Sequence, residues 1–346
     1  MLAAAAIVCA APALAQPQAA DLPKFPTPPP VVSAENSIIG PSYADAPEAT
    51  ADPMVPQGDV REFIMYSEDS KIYPGIVRVA NMQRDARGNY VVPASGLSAP
   101  GRYERHVYVY IPRQYVPGSP APFMVVQDGH SYVKRMANIL DNLIAGKRLP
   151  PMVVVFADSG GSDAQGSERG LEYDTISDRY SNWVESELLP AVSKNYGVTF
   201  TADPEGRAVM GGSSGGVAAF TMAWFHPERY HKVLSYSGTF VNQAWPPDPK
   251  TPRGGWEYHA TLIPKAAKKP IRMWMEVGEK DLHFDDPENT WHNWPLANNR
   301  MAAVLKKKGY DYRYVFALGA HHVDGAVVRQ TLPSALEWLW RDYPKN

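Results

Sequence analysis

The sequence predicts an α/β fold: a mostly parallel central sheet with helices on both faces. Three observations predict it. Short apolar runs such as Phe123-Met-Val-Val-Gln127 and Met152-Val-Val-Val-Phe-Ala157 read as strands buried on both sides. Stretches with helical spacing, such as Val133 to Ile144 and Ile176 to Tyr196, alternate with them. One further apolar run, Ala208 to Met210, turns through Gly211-Gly-Ser-Ser-Gly-Gly216 directly into the helical pattern Val217 to Trp224.

The chain has 346 residues, a net charge of −2 and 45% hydrophobic residues, enough for one sizeable domain. The near-neutral balance gives no reason to expect nucleic acid or an anionic membrane as a partner. Met1 to Ala15 is small and apolar and ends in Ala13-Leu-Ala15, a cleavage-site pattern, although no Lys or Arg precedes Lys24. It is too short to span a bilayer, which takes about 20 residues. Residues 1–15 therefore read as a cleaved signal peptide, and the mature protein is expected in a periplasm or outside the cell. Cys9 is the only cysteine. A chain cut after Ala15 would have no disulfide, no thiolate metal site and no cysteine nucleophile.

Residues 16–58 are rich in Pro and Ala without sustained periodicity and read as a disordered linker. The domain is expected over 59–346. Strands are predicted at Val60–Met65, Ile76–Val79 and Arg105–Ile111, with a hairpin in 81–100 around Arg87-Gly-Asn89. Helix 133–144 links the two buried strands. Helix 176–196 has Asp178 as its candidate cap. Beyond the glycine-rich turn come strand Lys232–Tyr236, an irregular stretch 238–269, strand Ile271–Val277, helix Trp294–Lys308, strand Tyr312–Phe316 and a terminal helix Thr331–Asp342.

The chemistry centres on the glycine-rich turn. Strand, G-x-S-x-G and helix in that order are the context of a nucleophile elbow, in which the serine sits on a turn too sharp for neighbouring side chains. The helix N-terminus beside it favours developing negative charge. Two registers compete: Ser213, flanked by Gly211 and Gly215, or Ser214, flanked by Gly212 and Gly216. Ser213 is preferred because it leaves Gly215 and Gly216 for close packing at the helix start. A phosphate loop would need Lys where Val217 stands, and a dinucleotide fingerprint would need Gly at Ser213. No cofactor is called for.

A serine nucleophile needs a base, and the base needs an acid to orient it. In an α/β-hydrolase fold these follow in the order Ser, Asp or Glu, His, each after a strand. Strand 271–277 ends in Gly278-Glu-Lys-Asp281, and strand 312–316 ends in Ala317-Leu-Gly-Ala-His321-His322. Asp281 is assigned as the acid, with Glu279, Asp285 and Asp286 as alternatives, and His321 as the base, with His322 as alternative. The plainer reading of each carboxylate is a solvated loop charge. The oxyanion hole should draw one N–H from Ser214 and another from the loop Asp128-Gly129-His130, where Gly129 would let the backbone approach and His130 would donate. His283 and His292 have no recognised metal-ligand spacing, so no metal site is expected.

The chain resembles, over roughly 103–343, the esterase family that contains enterochelin esterases, bacterial feruloyl esterases and mycolyltransferases. The matching pieces are Val125-Val-Gln-Asp-Gly129, Arg169-Gly-Leu-Glu-Tyr173, Glu187-Leu-Leu-Pro190, Gly211-Gly-Ser-Ser-Gly-Gly216, Tyr236-Ser-Gly238, Gly278-Glu-Lys-Asp281, Gly319-Ala-His321 and Leu336-Glu-Trp-Leu-Trp340. The resemblance implies an α/β-hydrolase fold, the triad Ser213, Asp281 and His321, and an oxyanion hole of the His130 and Ser214 N–H groups. It favours Ser213, since the family pattern is G-x-S-x-G-G. Many relatives have Gly-Gly-His where Ala320 precedes His321 here. Arg169 and Glu172 match a family R-x-x-E motif, read as a salt-bridged brace or as a substrate-positioning pair.

These readings predict a serine esterase acting through an acyl-enzyme. Phenolic or acetyl esters of carbohydrates come first as substrates, then siderophore esters, then acyl transfer to a sugar. Trp245, Trp256, Trp291 and Trp294 are candidates to overhang the site, with Gly129, Arg169, Trp245 and Trp291 touching substrate. The reading of another class is a non-catalytic carbohydrate-binding protein on the same scaffold.

Overall fold

Along the central strands, alternate residues enter two separate hydrophobic layers. Val125 joins one, while Met124 and Val126 join the other. This is the packing expected of a sheet covered on both faces. A computed structural model describes residues 36–84, 90–161 and 164–345. Its main sheet has nine strands: β1 (Asn36–Ile39), β2 (Asp59–Tyr66), β3 (Glu104–Ile111), β4 (Phe123–Gln127), β5 (Val153–Ala157), β6 (Arg207–Gly212), β7 (Lys232–Tyr236), β8 (Arg272–Gly278) and β9 (Asp311–Ala317). The spatial order is β1-β9-β8-β7-β6-β4-β5-β3-β2. All pairings are parallel except β3 with β5 and β2 with β3.

Helices α1 (Val133–Ala145), α2 (Glu168–Tyr173), α3 (Arg179–Trp183), α4 (Leu189–Tyr196), α5 (Ser214–Phe225), α6 (Trp294–Lys307) and α7 (Gly325–Leu339) complete the core. α1 and α7 cover one face, and α3 to α6 cover the other. Strand β4 has β5 on one side and β6 on the other, so the winding reverses between β4 and β6. In open α/β sheets that switch point, at the carboxyl ends of the strands, is where ligands bind.

Three expectations change. Residues 36–58 are not a free linker. β1 pairs with β9, the Tyr43 hydroxyl donates to the Leu318 carbonyl at 2.6 Å, and the Gly58 N–H donates to Asp141 at 2.7 Å. Proline content hid these attachments, whose partners lie far away in sequence. The long helix 176–196 starts only at Arg179, and the carboxylate of Asp178 caps nothing. It then passes through a π-turn, Val184–Leu188, before Pro190. Proline has no N–H for the carbonyl four residues back, and the wider turn accommodates that loss. The terminal helix begins at Gly325 and not Thr331, because Asp324 caps it by accepting from the Ala326 N–H at 2.9 Å. In the 81–100 hairpin, Gln83–Arg84 pairs antiparallel with Tyr90–Val91, and the turn around 87–89 lies outside the described residues. The signal-peptide reading of 1–15 also lies outside them.

Candidate active site

The elbow is built by backbone contact. A Cβ on Gly211 would lie 2.3 Å from the carbonyl carbon and oxygen of Gly215, so the strand and the first turn of α5 meet with no room for a side chain. Ser213, between them, has φ +57° and ψ −127°, a conformation rare for a residue with a Cβ. It is held there from both sides. Its N–H donates to the Tyr236 carbonyl at 2.9 Å, and its carbonyl accepts from Gly216 at 2.9 Å and Thr239 at 3.1 Å. Ser214 is fully buried in the first turn of α5, where its hydroxyl accepts from Gln243 Nε2 at 3.2 Å. Ser213, and not Ser214, therefore stands at the sharp turn between β6 and α5.

Asp281, in the loop after β8, is 1% exposed. Its Oδ1 accepts from the Leu282 N–H at 2.6 Å and lies 2.5 Å from Nδ1 of His322. Nε2 of the same imidazole is 2.8 Å from Ser213 Oγ. An acceptor at Asp281 requires Nδ1 to carry the hydrogen, which leaves Nε2 free to accept from the serine hydroxyl. Trp294 packs edge-on against the His322 ring at a centroid distance of 6.0 Å.

His321, expected here, is not brought to this cluster; the imidazole beside Ser213 and Asp281 is that of His322. The loop after β9 leaves His321 exposed, and its backbone N–H donates to Asp324 Oδ2 at 3.3 Å. The alternatives to Asp281 are placed elsewhere. Glu279 accepts from the Gly319 N–H, Asp286 pairs with His283, and Asp285 is exposed. Glu276 is wholly buried near Asp281 and Asp324. Burial pushes its carboxyl well above the usual range, and those two carboxylates push the same way.

The cleft in front of Ser213 has a volume of about 590 Å³. Asp128, His130, Asp158, Arg169 and His322 are among its lining residues, with Glu104 and His106 farther along β3. Arg169 is not paired with Glu172. It makes a bidentate pair with Asp128, at 3.0 and 2.7 Å. Glu172 turns inward to a bidentate pair with buried Arg105, at 2.5 and 2.8 Å. The two lie three apart on α2, close enough to meet, but each is drawn to a partner on another element: Asp128, just after β4, and Arg105 on β3. Gly129 is needed for packing, since a Cβ there would lie 2.5 Å from the Phe156 carbonyl carbon. The His130 N–H donates to Asp158 Oδ1 at 2.8 Å. The Ser214 N–H heads α5 and has no intrahelical acceptor.

The tryptophans divide. Trp245 and Trp291 are half-buried and do not line the cleft; the first donates to Ser98 Oγ at 3.2 Å and the second lies under the Arg253 guanidinium. Trp256 is fully buried against His259. Only Trp294 reaches the Ser213–His322–Asp281 cluster. Asp158 and Asp174 were not singled out from the sequence. Asp158 follows a buried strand at its carboxyl end, which is a usable signal, whereas Asp174 carries none. Among the described residues, no group of three or more His, Cys, Asp or Glu side chains is placed to hold a metal ion.

Comparison with known proteins agrees with this architecture. Residues 98–339 match the Esterase family, described as "Putative esterase". The chain is 29% identical over 240 residues to the iron(III) enterobactin esterase of Dickeya dadantii (strain 3937), covering 68% of this chain and 52% of that protein. It is 23% identical over 256 residues to the uncharacterized protein YbbA of Bacillus subtilis (strain 168), covering 70% of this chain and 94% of that one. This chain thus spans about half the length of the Dickeya protein. A structure of the feruloyl esterase module from Clostridium thermocellum, complexed with sinapinate, superposes with a TM-score of 0.53 at 16% identity, covering 87% of this chain and 94% of that one. At that identity the likeness speaks for a shared fold.

Proposed function

The chain belongs to the Esterase family and is a carboxylic-ester hydrolase, and from that premise we propose that it hydrolyses its substrate through an acyl-enzyme on Ser213. The observation that carries this reading is the unbroken hydrogen-bonded path from Ser213 Oγ through His322 to Asp281. His322 Nε2 takes the serine proton as Oγ attacks the ester carbonyl. Asp281 holds the ring in that tautomer and stabilises the imidazolium. The N–H groups of Ser214 and His130 receive the oxyanion. His322 then protonates the departing alcohol, and water, activated by the same imidazole, releases the acid.

The substrate we infer is a phenolic or acetyl ester of a carbohydrate. Imidazoles and carboxylates at His106, His130, Glu104 and Asp158 line the cleft and suit a polyhydroxylated alcohol. The Dickeya relative favours a second reading, a siderophore ester. An iron-loaded catecholate is strongly anionic, and the guanidinium of Arg169 already faces Asp128. The charge of the cleft thus supports the neutral substrate.

A fluorophosphonate probe followed by peptide mapping tests the nucleophile, and the expected adduct is on Ser213. A panel of acetylated sugars, feruloylated sugars and enterobactin ranks the substrates by kcat/KM. A folded protein without an adduct would move the reading to a non-catalytic carbohydrate-binding role. We also place the mature protein outside the cytoplasm, a reading supported by the apolar run 1–15. N-terminal sequencing of the exported form, expected to begin at Gln16, checks it.

A further inference from the structure

On that reading, the backbone N–H of His130 is the second oxyanion donor, yet here a carboxylate already holds it. Asp158 Oδ1 accepts from the His130 N–H at 2.8 Å and lies 2.9 Å from Nδ1 of the His130 ring. Asp158 follows β5, the strand beside β4, and its side chain lines the same cleft as Ser213. Its backbone is anchored. The Asp158 N–H donates to the His106 carbonyl at 3.0 Å, and the Asp158 carbonyl accepts from Nη1 of buried Arg105 at 2.6 Å. The side chains are less confined: that of Asp158 is 19% exposed and that of His130 is 64% exposed.

We propose that Asp158 is a specificity-determining plug of the oxyanion hole. An ester carbonyl oxygen and the Asp158 carboxylate compete for one N–H, and a fixed negative charge beside a developing oxyanion opposes it. The carboxylate therefore has to rotate away before acylation. Since only the side chain has to turn, a substrate that offers it other donors removes the obstacle. Hydroxyl groups on the alcohol portion of the ester, lying in the polar cleft, are such donors. An alkyl ester offers none and has to displace the carboxylate without replacing its hydrogen bonds. The enzyme would thus select polyhydroxylated alcohols by induced fit at the hole itself.

The test compares wild type, Asp158→Ala and Asp158→Asn with two esters that share an acyl group, butyl acetate and glycerol monoacetate. Thermal unfolding verifies that each variant is folded. For Asp158→Ala, kcat/KM on butyl acetate is expected to rise roughly tenfold or more, a fraction of the 10²–10³ that one such donor is worth. The rise on glycerol monoacetate is expected to be smaller, so the preference of the wild type collapses. Affinity for an alkylboronic acid, which forms an anionic adduct on the serine, should rise in parallel. Asp158→Asn removes the charge but keeps an acceptor of the same size, and should fall between. A fall or no change on both esters would overturn the proposal and leave Asp158 as a brace of the 128–132 loop. A wild type that the fluorophosphonate does not label would count against the esterase reading itself, a separate failure.

Discussion

Asp281 Oδ1 and His322 Nδ1 lie 2.5 Å apart although 41 residues of chain separate them. The contact exists because β8 and β9 are parallel neighbours in register, with Gly278 opposite Ala317, so the loops leaving their carboxyl ends run side by side. Replacing Asp281 by Asn keeps the shape but offers His322 the wrong tautomer. By analogy with other triads, kcat should fall by roughly 10⁴ with KM little changed. His322→Ala should be at least as damaging, and His321→Ala should leave kcat near wild type. Steady-state kinetics on an aryl acetate check all three, and the reverse ranking of the two histidines would restore His321 as the base.

The glycine pair at the elbow gives a second prediction. A Cβ on Gly211 would sit 2.3 Å from the backbone of Gly215, and backbone cannot rotate out of the way as a side-chain tip can. Gly211→Ala should destabilise the fold by about 1–3 kcal/mol, the usual cost of overpacking, and slow fluorophosphonate labelling of Ser213 by shifting the elbow. Gly197, at the C-terminus of α4, is a useful control. Nothing surrounds the place where its Cβ would go, and its φ of +67° leaves only the modest backbone cost. Denaturant midpoints and labelling rates together separate strain at the site from general instability.

The buried Arg105–Glu172 pair gives a third. Both side chains are essentially inaccessible, and the guanidinium also lies 4.2 Å from the Trp183 ring centroid. Removing one charge leaves the other buried and unpaired. Glu172→Gln should therefore cost about 3–5 kcal/mol. The double change Arg105→Met, Glu172→Leu should recover much of that loss, because an apolar pair needs no desolvation of charge. A double variant no more stable than Glu172→Gln would show that the pair does more than neutralise itself.

The sheet was legible in the sequence because strands buried on both faces have no polar alternation to obscure them. The elbow was legible because only glycine tolerates backbone contacts such as that between Gly211 and Gly215. Asp281 was legible from its place after a strand. The choice between His321 and His322 was not. Adjacent residues in a loop have the same composition signal, and only the path of the turn decides which faces inward. The partners of Arg169 and Glu172 were equally hidden, since Asp128 and Arg105 are distant in sequence, and the spacing of the two on α2 suggests a pair with each other. The N-terminal attachment of 36–58 rests on a four-residue strand, hydrogen bonds and the ion pairs of Glu48 with Arg148 and of Asp45 with Arg329, all to partners far off in sequence that no local pattern reveals.

Asp174 supplies the pH prediction. It is 2% exposed, its Oδ2 accepts from Gln243 Nε2 at 3.1 Å, and among the described residues Oδ1 has no partner. Burial pushes its carboxyl from 3.8 up to about 6, against the downward pull of Arg169. The folded state therefore holds this proton more tightly than the unfolded chain does. The stability linked to it is greatest below pH 4 and is lost as pH rises through about 6. A shift of about two units corresponds to on the order of 2–3 kcal/mol. Asp174→Asn, which cannot ionise, should gain stability relative to wild type over that interval and hold the gain at neutral pH. Denaturant unfolding of both proteins from pH 4 to pH 8 measures the difference, in which other titrating groups largely cancel. Parallel curves would mean that Asp174 ionises in the fold as easily as in the unfolded chain, with a partner that satisfies Oδ1.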